Sequence, residues 1–144
     1  MRTIFRAVGA VLAAILVIVV LSYGTDYILQ SLGLMERRGL PLYGGEALVI
    51  GVILYRTLYV AAGSYVLAQL APGHPMRYVM TLAVIGTLGS IGAALTPESQ
   101  SLAPAWYNWS LAILGLPASW LGGRLGENLK RHQLHESGTP VTQA

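Results

Sequence analysis

One arginine, Arg56, stands well inside the apolar stretch 46–72, EALVIGVILYRTLYVAAGSYVLAQLAP. A guanidinium at such a depth costs roughly 2.5–3.5 kcal/mol to insert unless protein or water solvates it. The chemistry open to it is charge pairing, or recognition of an anion through its fork of N–H donors. Asp26, near the end of the first apolar run, is the matching carboxylate. Arg56 lies about ten residues, or roughly 15 Å, into its helix, and a side chain directed back toward the helix start bridges much of that distance. The expectation is therefore an Asp26–Arg56 pair within an intramembrane polar cluster that also holds Tyr59, Ser22, Ser90 and Asn108. Two readings stay open. The pair is either a salt bridge that orients two helices, or part of an outward-facing cavity for a ligand, with an anion the natural occupant beside the arginine.

Other residues with chemical potential carry less. Tyr55, Tyr59 and Tyr65 read as packing or interface residues, and His74 as an interfacial residue in a two-proline turn. His132 and His135 have a helical spacing of three, but no carboxylate or third imidazole accompanies them, which argues against zinc or haem. With no cysteine in the chain, disulfides, thiolate catalysis, Cys-ligated metals and lipid attachment at a thiol are excluded. No G-x-S-x-G, H-E-x-x-H or phosphate-binding glycine loop is present. The expectation is a non-catalytic protein with no cofactor and no metal.

The elements that must position these residues are apolar helices. The 144 residues are 54% hydrophobic and 10% charged, against about a quarter charged in a soluble domain, and the mean hydropathy is +0.58. Four spans are expected, near 4–30, 46–71, 76–95 and 102–122, with wet loops between them. The first follows Arg2 and Arg6, and it is too long, with no A-x-A site after it, to read as a signal peptide. Ser22, Asp26 and Gln30 form a polar stripe along it, while Arg56, Tyr59 and Gly63 share a face of the second. Helix packing is expected at small residues: Gly63 on the second span, Gly86 and Gly89 with Ser90 and Ala93 on the third, and Gly115, Ser119 and Gly123 on the fourth. Trp106, Tyr107 and Trp109 at one end of the fourth span, and Trp120 toward the other, suit the two headgroup levels. After residue 125 a polar tail, 126–144, is expected to be cytoplasmic and partly disordered.

Orientation follows from the basic residues. With both termini inside, the cytoplasmic side holds Arg2, Arg6, Arg77, Arg124, Lys130 and Arg131, and the other side only Arg37 and Arg38. The fold expected is all-α, a polytopic membrane protein built as an antiparallel four-helix transmembrane bundle, N-in and C-in. Small size invites comparison with the four-helix multidrug exporters, but their key glutamate has no counterpart before Asp26. The chain resembles instead a group of small four-span bacterial membrane proteins. The similarity is densest over Tyr55–Val79 and Ala105–Leu125, where Arg56, Gly63, Ala71-Pro72 and Pro75-Met76 fit the group's outline and Ala62-Gly63-Ser64 replaces a double glycine. The resemblance implies the fold and a bacterial inner membrane; it implies no activity. The first functional expectation is an accessory or interaction protein whose partners are the lipid bilayer and a second copy or another membrane protein, not nucleic acid. The alternative is a small transporter or ligand-binding protein using the cavity around Arg56 and Asp26.

Overall fold

The computed structural model describes residues 2–33 and 45–136, and every element among them is helical. The first, α1 (Arg2–Ser31), is the near-unbroken apolar run. The expected loop from Ser31 to Gly45 lies largely outside the described residues. After it, α2 (Glu46–Leu70) starts with an acid in its first turn, where the helix dipole favours one. It stops at Ala71-Pro72, and Gly73, at φ 66, turns the chain in a conformation that a side chain would disfavour. Then α3 (Pro75–Leu95) opens with proline at its first position, where no N–H is needed.

Two boundaries differ from those expected. Residues 98–105, expected as a wet loop, include a short helix, α4 (Pro97–Leu102), which Pro97 and Glu98 start in the same way. The last long helix, α5 (Ala105–Glu136), does not end near 122; it passes Pro117 and Gly122-Gly123 and carries residues 126–136 of the expected tail as helix. The glycines do not break it because neighbouring helices press on them, and beyond them Glu127 and Arg131 form an i,i+4 pair at 2.7 Å. Residues 137–144, the rest of that tail, lie outside the described residues.

By length and composition α1 (over Ile4–Ser31), α2 and α3 can cross a membrane; α5 is long enough, but its second half is polar. The four long helices do not form a square. In the middle, α2 lies against α5, with α3 packed on α5, and α1 packed almost wholly on α2. The chain directions show in the pairings: Arg56 meets Asp26 and Gly63 meets Ala14, so α1 and α2 run in opposite senses. Gly122 meets Ala61, Gly126 meets Tyr65, and Lys130 meets Ala71, so α2 and α5 run in the same sense.

Packing is concentrated at two ends. One cluster joins Ala10, Ala14, Leu67, Ala68, Ala71 and Val79. The other joins Val49, Val52, Ile53, Ala103 and Tyr107. The polar residues of interest fall between them.

Candidate functional site

Between the two clusters the long helices line a half-open cavity of about 330 Å³, with Ile15 and Val19 of its wall 40% and 43% exposed. At roughly 30 Å³ of liquid volume per water, that is room for about ten waters or a small organic molecule. Its wall is mainly apolar, with Ile15, Ile18, Val60, Leu82 and Leu111 among the contributors. Each helix adds polar groups: Ser22 from α1, Arg56, Thr57 and Ser64 from α2, Thr87 and Ser90 from α3, and Ser119 from α5. Thr57 is committed to its own helix, donating to the carbonyl of Ile53 at 2.7 Å.

Arg56 occupies the border between this cavity and a charge cluster. Its Nη2 donates to Asp26 Oδ2 at 3.0 Å, and the two side chains are 35% and 15% exposed. The phenol of Tyr55 donates to the other carboxylate oxygen, Oδ1. Tyr59 is close by, its ring 5.6 Å from that of Tyr55, but its hydroxyl bonds Thr25 Oγ1 at 2.6 Å. The Tyr107 ring lies 6.0 Å from the Arg56 guanidinium carbon, within reach of a cation–π attraction. Nε of Arg56 remains buried with no hydrogen-bond partner, and so does Oγ1 of Thr87 across the cavity. A buried polar atom left unpaired costs about 1–3 kcal/mol. Both atoms belong to residues of the cavity wall.

Of the residues expected in the polar cluster, Asp26 and Arg56 meet directly, Ser22 and Ser90 line the cavity, and Tyr59 joins through Tyr55 and Thr25. Asn108 is buried on α5 beside Tyr107, with a partner of its own, and is not part of the cavity wall. Three contributors escape a reading of sequence alone. Tyr55 and Thr25 are the immediate neighbours of Arg56 and Asp26 in the chain, and that adjacency is the only signal they give. Tyr107 looks like a third belt aromatic, yet Trp106 and Trp109 share a face and are 41% and 44% exposed, whereas Tyr107 points elsewhere and is 8% exposed.

Small residues divide in two. A Cβ on Gly63 would strike Ile18, and one on Gly123 would come within 2.8 Å of Val79 Cγ1, so both mark close helix contacts. Gly86, Gly89 and Gly115, expected as packing positions, have nothing within 4 Å of such a Cβ, and Gly86 and Gly115 border the cavity instead; Ser119 also lines it but is itself buried, at 2% exposure. Close α2–α5 contacts fall at Gly122, where an added Cβ would strike the Ala61 carbonyl, and at Gly126, where one would come within 2.8 Å of Tyr65 O.

Near the far end of α2, Lys130 Nζ donates to the carbonyl of Ala71 at 2.7 Å and Gln69 Nε2 to that of Gly126 at 3.1 Å, tying the polar part of α5 to the α2 terminus. Partial burial holds the Lys130 ammonium below its ordinary pKa. Among the described residues no group of three or more metal-ligating side chains comes together. Comparison with protein-family models, with curated proteins and with solved structures finds no match to this chain.

Proposed function

We propose that this is a four-span inner-membrane protein, both ends cytoplasmic, that binds a small molecule within the bilayer. The observation that carries the reading is the cavity itself: a half-open space of about 330 Å³ lies at mid-span between the two packed clusters, bordered by all four long helices and lined by hydroxyls and by Arg56. A helix bundle made only to be rigid fills such a space, because interiors pack as densely as organic crystals. The apolar half of α5, from Ala105 to about Leu125, serves as the fourth span, with Trp106 and Trp109 exposed at its start. The excess of Lys and Arg on one side supports the orientation. Among the described residues the charged groups at the cavity, Arg56 and Asp26, are engaged with each other, which suits holding or passing a molecule more than transforming one.

One feature favours the accessory reading. Along α1, which packs almost wholly on α2, Phe5, Leu12 and Leu16 are at least 60% exposed, an apolar face that takes lipid or another helix. That face and the cavity are compatible.

Native mass spectrometry after mild extraction tests the binding reading. Gly115 borders the cavity, and a Cβ there meets nothing within 4 Å, so Gly115→Leu adds bulk at the cavity wall where its first atom has room. The wild type is expected to carry a small added mass that the variant lacks. Identical spectra for the two would contradict the proposal.

A further inference from the structure

We infer that the cavity's ligand is an uncharged, lipid-soluble molecule with a hydrogen-bonding oxygen, reached from the bilayer core. The inference rests on the binding reading above and narrows it, because charge, wall chemistry and access each select against other classes.

Charge comes first. Among the described residues Arg56 is the only charged one in the wall, and Asp26 already takes its Nη2 while Tyr55 donates to the same carboxylate. An anionic ligand would have to draw the guanidinium away and leave Asp26 poorly compensated, which is costly away from water. A cationic ligand would meet the arginine with no carboxylate in the wall to balance it. A neutral ligand disturbs neither.

The wall also specifies polar atoms. Serine and threonine hydroxyls both donate and accept, and they reach the cavity from every long helix. The unpaired Arg56 Nε can only donate, so a ligand that satisfies it when the side chain turns toward the cavity brings a carbonyl, ether or hydroxyl oxygen. The remaining wall is aliphatic, so the rest of the ligand is apolar.

Access agrees with this. Although α1 and α3 both contribute wall residues, they scarcely touch each other, and Ile15, Val19 and Gly86 of the wall are exposed, so the cavity opens sideways between two lipid-facing helices. A molecule dissolved in the acyl chains reaches that gap directly, whereas a water-soluble ion does not.

Three probes of matched chain length separate the possibilities: methyl decanoate, decanoate at alkaline pH, and decane, each added to the protein in lipid nanodiscs. Melting is compared between the wild type and two cavity-filled variants, Gly115→Leu and Gly86→Leu; either variant serves if the other fails to fold. Methyl decanoate is expected to raise the wild-type melting temperature by roughly 2–4 °C above its effect on the variants, and decanoate and decane by clearly less. An equal or larger wild-type-specific shift with decanoate would overturn the neutral-ligand inference while leaving a binding cavity. An equal shift with decane would overturn the need for an oxygen. If no probe distinguishes the wild type from the filled variants, the binding reading falls with it.

Discussion

The guanidinium of Arg56 is solvated by its own protein on one edge and left short on the other. Asp26 takes one terminal nitrogen, Tyr55 completes the carboxylate, and Tyr107 offers a ring face, while Nε has no partner. Breaking a fully buried pair by removing one partner costs about 3–5 kcal/mol; with Arg56 about one third exposed, the cost should be nearer 1–3 kcal/mol. Arg56→Leu and Asp26→Leu are each expected to lower the melting temperature of the detergent-solubilised protein, and the double variant to regain part of the loss. Strictly additive losses would show that the two side chains are not coupled. The pair was legible in the sequence because depth and opposite charge suffice to propose it. Tyr55, Thr25 and Tyr107 were not, because a phenol or hydroxyl in a span finds a partner on whichever side its helix is turned.

Helices in this protein are located by hydropathy and stopped by proline, so α1, α2 and α3 could be placed from sequence nearly to the residue. The end of α5 does not follow that rule. Gly122-Gly123 and the charges after it look like a helix end, yet the helix continues because α2 and α3 lie against those glycines and Lys130 reaches the end of α2. Small-xxx-small spacing marked several faces at once, and only the rotation of each helix decides which face is used. The contrast can be measured. Gly122→Ala drives a methyl into the Ala61 carbonyl and is expected to destabilise by about 1–3 kcal/mol, the usual range for overpacking. Gly89→Ala meets open space and should be neutral, or more stable by up to about 1 kcal/mol through helix propensity. Equal effects at the two positions in thermal melts would contradict this account of the α2–α5 contact.

On the scale of the whole molecule, the two core clusters hold the ends together and leave the middle unfilled, with α1 as a lightly held arm beside the gap. Sequence cannot reveal such a cavity, because its wall residues come from four separate segments and look like ordinary span residues in each. The central claim is that the middle of the bundle is open to small molecules. A chain without cysteine allows a direct test on α3, where Ser90 borders the cavity and Leu88, two residues earlier at nearly the same depth, is 63% exposed on the outer surface. Thiolate, not thiol, is the reactive form, and a side chain in lipid does not ionise. The measurement is the rate at which methyl methanethiosulfonate, uncharged and lipid-permeant, modifies the Ser90→Cys and Leu88→Cys variants in native membranes. The Arg56 charge in the same wall favours the Ser90→Cys thiolate. The account predicts that Ser90→Cys reacts readily and is slowed by methyl decanoate, while Leu88→Cys stays unreactive. If Ser90→Cys is as inert as Leu88→Cys, the centre of the bundle is closed and the proposed function is contradicted.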